Sequence, residues 1–329
     1  MKPVPKIISR ILGALADCKR VCIAGHLRPD GDCIGSQVGL ALALRDAGKT
    51  VHCWNQDRLP HKLSFLVPDG LMQRPRAGCR FDAVIATDCA SFERLGSIGP
   101  HIADRRVFIN IDHHESNTRY ADINWISVRE PSTGELIFRL LKAAQWPITP
   151  PIADCLFTAI STDTGSFQYP STRPATYHVA AELVKRGANL ARICNEVYQS
   201  YPVSRVRLLR HVYNHFRLAH GDRIAWVRLR KADYERTGAD PADSEGLIDH
   251  IRDIEPVVVA CVFEEVEPDL LRVSLRSKSA AVNMNDVAAQ FGGGGHAAAA
   301  GARIRGNPAV LRRRVLAALT RALDHAARP

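Results

Sequence analysis

No stretch of this 329-residue chain comes near the roughly 20 consecutive apolar residues that a membrane-crossing helix needs, so no span is expected. The sequence also has no C-x-x-C pair. Its nine cysteines are odd in number and scattered, and Cys22, Cys33, Cys89, Cys155 and Cys261 sit in apolar segments, as small buried hydrophobes do. That excludes a disulfide framework and a thiolate zinc site, and leads to the expectation of reduced thiols in a cytoplasmic protein. Internal repeats and compositionally biased tracts are lacking too. The basic N-terminus is not a leader by pattern: Ile7, Ile8, Ile11, Leu12 and Leu15 recur at helical spacing and predict an amphipathic first helix. What remains is a globular chain, 46% hydrophobic and 24% charged, long enough for two domains. Its formal charge of +10 suits an anionic partner such as a phosphate-bearing substrate.

The first half alternates strand and helix. Strands are expected at 21–25, 50–54, 81–88 and 106–112, with continuous apolar cores that suit a parallel sheet covered on both faces. Helices are expected from Cys33 to Ala47, stopped by Gly48, and over 132–145, where Ser132 and Glu135 are spaced as a capping box. A further helix starts at Pro151 and closes in the polar turn STDTGSF. From about Thr172 to Phe216 the pattern is helical and Arg-rich. Strands resume at 223–230, 256–265 and 270–277, followed by FGGGGHAAAAG (291–301) and a final helix from Asn307 to Leu323. The triplet Arg312, Arg313, Arg314 on that helix reads as a solvated face. The expected organisation is an α/β protein: a parallel-sheet domain over 1–171, a helical connector over 172–218, and a smaller α/β domain with a mixed sheet over 219–329.

Residues 26–36 read HLRPDGDCIGS directly after a buried strand. Turn and cap chemistry accounts for Pro29, Asp30 and Gly31 but not for His26. A metal site would account for it, and would require further Asp and His residues at other strand ends. They are there: Asp88 closes FDAVIATD, Asp112, His113 and His114 close FINIDHH, and Asp163 lies in the turn after a helix. In an open α/β sheet the carboxyl ends of the strands line one crevice. Five carboxylates and three imidazoles without a thiolate favour Mn²⁺ or Mg²⁺, and their number exceeds what one ion needs. Two ions close together acting on a phosphoryl centre point to a metal-dependent phosphoesterase.

HLRPDGDCIGS, TDC, DHH and STDTGSF, in that order, resemble the four motifs of the DHH phosphoesterases, and FGGGGH with Arg276 ahead of it resembles that family's associated C-terminal domain. The resemblance implies that His26, Asp30 and Asp88 hold one metal and that Asp32, Asp88, His113 and Asp163 hold the other, with Asp88 bridging. It implies two divalent cations, Mn²⁺ first, with Mg²⁺ or Co²⁺ as alternatives. His114 would contact the scissile phosphate, and Asp112 would orient the histidines. The backbone of Gly293, Gly294 and Gly295, with His296 and Arg276, would grip the nucleotide end of the substrate across an interdomain cleft. Relatives carry Lys or Arg after the Gly-rich His where this chain has Ala297.

The segment 242–265 resembles the stand-alone branch that degrades very short RNAs to 5′-mononucleotides and dephosphorylates 3′-phosphoadenosine 5′-phosphate. That resemblance implies short RNA or nucleoside bisphosphates as substrates and no membrane partner, and it is compatible with a homodimer. The alternative within the class is a cyclic- or linear-dinucleotide phosphodiesterase. The alternative from another class is an RNA-binding protein without catalysis, against which the full ligand set counts. GKT at 48–50 is not a P-loop, because position 43 is Ala rather than Gly and the tripeptide follows a helix. GGGGHA at 292–297 matches a loose dinucleotide pattern, but no βαβ unit surrounds it.

Overall fold

The computed structural model describes residues 5–326, so the outermost expected domain limits, 1 and 329, lie outside the described residues. The chain divides into two units after Ser200. The first runs α1 (Lys6–Ala16), β1 (Arg20–Ala24), α2 (Gly31–Asp46), β2 (Thr50–Trp54), β3 (Met72–Gln73), β4 (Phe81–Thr87), β5 (Arg105–Asp112) and β6 (Ile123–Ile126). It ends with α3 (Thr133–Ala143), α4 (Pro150–Asp163), α5 (Pro174–Lys185) and α6 (Leu190–Tyr198). The sheet order is β3-β2-β1-β4-β5-β6, and every pairing is parallel. The order reverses at β1, so the crevice between the carboxyl ends of β1 and β4 is the switch point where such sheets bind ligands.

Apolar side chains of the sheet project to both faces, as a fully covered sheet requires. Val21 and Ile23 pack with Ile34 and Leu156 on one side, whereas Cys22 and Ala24 pack with Phe81 and Phe108 on the other. The amphipathic first helix buries Ile8, Ile11 and Leu15. Two close approaches fix how α2 lies on α4. A Cβ on Gly31 would come within 2.3 Å of Thr162 Oγ1, and one on Gly35 within 2.3 Å of the Cys155 carbonyl oxygen. Only glycine permits that contact, which brings the start of α2 against the end of α4.

The second unit contains α7 (Val203–His215), β7 (Arg217–Ala219), β8 (Ile224–Leu229), α8 (Lys231–Thr237), α9 (Leu247–Arg252), β9 (Val259–Glu267) and β10 (Leu270–Ser277). After them come α10 (Met284–Ala289), β11 (Gly294–Gly295), β12 (Ala299–Arg305) and α11 (Pro308–Ala326). Its sheet, β11-β12-β10-β9-β8-β7, is mixed: β8 and β9 are parallel and the other pairings antiparallel.

The helical stretch expected as a separate connector over 172–218 is divided between the units. α5 and α6 bury Val179, Leu183, Ile193 and Val197 in the core of the first, and α7 buries Leu208 and Val212 in a core of the second. Their apolar positions give each helix a core to join. No helix of the described residues is long and apolar enough to cross a membrane.

Candidate metal and phosphate site

The stretch 26–36 combines a helix cap with an Asp–His pair. Asp30 caps α2 by accepting from the Cys33 N–H at 3.1 Å, and its other role is to face His26, whose Nε2 lies 3.8 Å from Asp30 Oδ1. His26 Nδ1 is 2.8 Å from the Leu27 carbonyl, so Nδ1–H donates there and Nε2 is presented toward Asp30 and, at 3.3 Å, Asp88. Asp88 follows β4 with φ +56, a left-handed conformation that Asp tolerates better than most residues, and its N–H bonds to the Ile111 carbonyl of β5.

His113, at the end of β5, gathers the second group. Its Nε2 lies 3.2 Å from Asp163, 3.5 Å from Asp88 and 3.6 Å from Asp32. Its Nδ1 donates to the Glu130 carbonyl at 3.2 Å. The donor atoms of His26, Asp30 and Asp88 lie within 4.8 Å of one another, as do those of Asp32, His113 and Asp163, and those of Asp88, Asp112 and His114. Asp112 is fully buried and accepts from the His113 N–H at 2.8 Å, from His114 Nδ1–H at 2.7 Å and from the Asn117 amide at 2.5 Å. Of the two histidine rings it contacts that of His114; the His113 ring is met by the Glu130 carbonyl.

The charges press on one another. Burial, with Asp88 and Asp163 nearby, pushes the Asp32 carboxyl well above the usual range. Burial likewise raises Asp163 to about 6, against the pull of His113 and with the push of Asp88. Asp88 goes the other way: burial opposes its charge, but hydrogen bonds from His113 and His26 hold it well below the usual range. Against burial, Asp163, Asp88 and Asp32 raise His113 well above an ordinary imidazole, and the Cys33 sulfur, Asp30 and Asp88 do the same for His26. Hard oxygen and nitrogen donors crowded at this depth fit divalent cations, which would relieve the carboxylate repulsion.

Sequence reasoning read the start of α3 only as a capping box. Only the first half of the box forms: Ser132 accepts from the Glu135 N–H, while the Glu135 carboxylate accepts from Arg139 and Thr176. The same helix end also holds the site. The N–H groups of Thr133 and Gly134 donate to the two oxygens of Asp32 at 2.7 and 2.8 Å, and the Thr133 hydroxyl donates to Asp88 at 3.0 Å. Ser36 adds a hydrogen bond to Asp32 at 3.0 Å. Serine and threonine at a helix start were the available signal; their target, an acid about a hundred residues earlier, was not legible. Asn117, five residues after Asp112, and Glu130, which contacts His113 through its backbone carbonyl, carry no such signal in the sequence.

In the second unit the Gly-rich run is ordered backbone rather than linker. β11 pairs with β12, and a Cβ on Gly293 would meet the Gly301 carbonyl oxygen at 2.2 Å. Gly295 has φ +149, and its N–H donates to Asn285 at 3.0 Å. His296 and Ala299 exchange backbone hydrogen bonds in a tight turn, and Arg276 stands opposite Ala299 in the register. Arg276, Gly293, Gly294, Gly295 and His296 thus belong to one corner of the sheet. The Arg276 guanidinium faces Asp249 at 3.8 Å.

Comparison with known proteins follows the same division. The family pattern described as DHH family, N-terminal domain, matches residues 20–160, and the DHHA1 domain matches 224–327. A bifunctional oligoribonuclease and PAP phosphatase NrnA of Thermus thermophilus is 32% identical over 302 residues, covering 92% of this chain and 88% of that protein. The NrnA of Bacillus subtilis is 29% identical, covering 85% of this chain and 87% of the relative. A crystal structure of an exopolyphosphatase-related protein from Bacteroides fragilis superposes with a TM-score of 0.84 at 25% identity, covering 99% of this chain and 98% of that one.

Proposed function

Because the chain belongs to the DHH family of phosphoesterases, a family of hydrolases, we propose that it releases 5′-mononucleotides from very short oligoribonucleotides and removes the 3′-phosphate of 3′-phosphoadenosine 5′-phosphate. The observation that carries this reading is the convergence of His26, Asp30, Asp32, Asp88, His113 and Asp163 at the switch point of the first sheet. The names of the curated relatives, which pair an oligoribonuclease with a PAP phosphatase, supply the substrate classes.

In this reading His26, Asp30 and Asp88 hold one divalent cation, and Asp32, Asp88, His113 and Asp163 hold a second, with Mn²⁺ the expected ion. Cations held there would supply Lewis acidity for phosphoryl transfer to water. The protein does the rest. Asp112 accepts His114 Nδ1–H, which leaves Nε2 to face substrate and, when protonated, to donate to a phosphate or leaving oxygen. Thr133 and the amides at the start of α3 hold Asp32 and Asp88 in place. In the second unit Arg276 and the backbone of Gly293, Gly294 and Gly295, with His296, bind the nucleotide end of the substrate.

The test is mononucleotide release from di- to pentanucleotide RNAs and phosphate release from 3′-phosphoadenosine 5′-phosphate, each with Mn²⁺ and then with chelator. A cyclic dinucleotide runs alongside. Metal-dependent turnover of the linear substrates is expected, and D88A is expected to abolish it while leaving the circular dichroism spectrum unchanged. Turnover of the cyclic substrate alone would reassign the substrate class, and near-normal activity in D88A would remove the bridging role.

A further inference from the structure

The second unit carries a concentration of arginines that the substrate corner does not use. Trp226 on β8 lies between two of them: the guanidinium of Arg312 is 5.5 Å from the ring centre, and that of Arg217, its partner in the β7–β8 register, is 5.8 Å away. Arg228, two residues along the strand and so on the same side of the pleat, brings a third guanidinium, and Arg313 follows Arg312 on α11. Arg228, Arg217 and Arg313 all bear electrostatically on Arg312, with Glu265 as the opposing acid; that acid is 3.8 Å from the Arg228 guanidinium. Four arginines against one acid leave a net positive patch around a partly buried indole, and such a patch is costly unless a further anion joins it.

This cluster is not the corner that holds Arg276. Along β10, Leu271, Val273 and Leu275 pack in the same core as Trp226 and α11, so the alternating Arg276 projects from the opposite face. The Gly-rich strand β11 lies four strand positions from β8, a separation of about 19 Å at ~4.8 Å per strand. One terminal nucleotide cannot be held by both.

We propose that the Trp226 edge, with Arg217, Arg228, Arg312 and Arg313, is a docking surface for the phosphate backbone of single-stranded RNA, separate from the substrate-binding corner. The chemistry is specific in two respects. Every cation named is arginine, whose planar fork pairs with phosphate oxygens and stacks on bases, and an aromatic ring is set among them, the combination by which single strands are held without sequence preference. The surface would keep the protein near RNA, where very short fragments arise, so it extends the proposed function without depending on turnover.

The experiment measures binding of a fluorescent 12-nucleotide polyuridine RNA to the full chain in chelator, across a salt series. Wild type is expected to bind with a steep salt dependence. R217Q/R312Q is expected to bind at least fivefold more weakly at about 100 mM salt, with the log–log slope reduced by about 1.4 for two lost phosphate contacts. R217K/R312K should restore most of the slope, and R313Q, at an exposed position, gives a smaller loss without touching the Trp226 packing. Dinucleotide hydrolysis by R217Q/R312Q should equal wild type. Equal affinity and slope in wild type and R217Q/R312Q, or no binding by wild type, overturns the proposal. So does displacement by inorganic phosphate at about 10 mM, which would mark a free-phosphate site, or equally good displacement by polyglutamate, which would mark an acidic protein partner. Loss of dinucleotide hydrolysis in a folded R217Q/R312Q overturns the separation of the two surfaces. Absence of any hydrolysis in wild type fails the proposed function and leaves this binding result intact.

Discussion

Thr133 belongs to none of the motifs that first marked the site, yet it touches both of the acids on which the metal assignment turns. Its N–H holds Asp32 and its hydroxyl holds Asp88, and the residue is fully buried. Valine has nearly the same shape but no donor, so T133V would leave one oxygen of Asp88 without that hydrogen bond while the fold persists. A loss of about 10–100-fold in metal affinity or turnover is expected, the range seen when partners of metal ligands are removed. T133S should recover most of it. Calorimetric titration of Mn²⁺ into the three proteins measures the effect, and equal affinities would show that Asp88 is held by its histidines alone. A second residue-scale expectation concerns Ala297, which is exposed beside His296. If a phosphate contact is missing there, A297K should lower KM for 3′-phosphoadenosine 5′-phosphate severalfold with kcat nearly unchanged, as removal of a uniform binding deficit does. An unchanged KM would show that another group already fills that role.

Helices α2 and α4 meet through glycine, and the pairing decides whether Asp163 reaches the group formed by Asp32 and His113. In G35A the new methyl would meet the Cys155 carbonyl, so the helices must separate. A destabilisation of about 1–3 kcal/mol is expected from overpacking, read from urea unfolding, together with weaker Mn²⁺ binding as Asp163 withdraws. Unchanged metal affinity in a destabilised G35A would mean that the end of α4 is positioned by other contacts. The long elements were legible because periodicity marks them: α1, α2, α3 and the apolar strands β1, β2, β4 and β5 fall where the sequence predicts them. β3 and β11, two residues each, carry no periodicity at all, and β6, four residues inside ADINWISV, is too short to declare itself. The acids and histidines of the site were legible because they follow the ends of β1, β4 and β5, open α2 or close α4. The groups that hold them were not: Thr133 and Glu130 are brought in by tertiary approach, and Asn117, five residues after Asp112, belongs to no periodic pattern. The arginine triplet on α11 shows the limit plainly: Arg312 and Arg314 lie over Trp226 and Phe291, which spacing along one helix could not reveal.

Across the whole molecule, the clustered charges tie stability to pH. The raised carboxyls of Asp32 and Asp163 keep protons in the folded chain that the unfolded chain has already shed above about pH 4, so their contribution to stability falls as pH rises, for Asp163 through about 6. The raised imidazoles of His26 and His113 act in the same sense above about pH 6.5, where the unfolded chain is already neutral. Asp30, Asp88 and Asp112, whose carboxyls are lowered, lose their contribution only in acid, below about pH 4. The metal-free protein should therefore lose stability between pH 5 and 7.5. Mn²⁺, which replaces those protons, should raise the melting temperature more at pH 7.5 than at pH 5, by about 2–4 °C for each kcal/mol of linkage. Thermal melts at both pH values with and without Mn²⁺ decide it, and an increment that shrinks with rising pH would contradict the charge arrangement. The parallel sheet has one further consequence, in the order of synthesis. His26 leaves the ribosome early, and Asp163 follows only after the whole first sheet has been made, roughly 7–27 seconds later at ~5–20 residues per second. Throughout that interval the proposed cation site lacks one of its acids, and it can close only once the chain has passed residue 163.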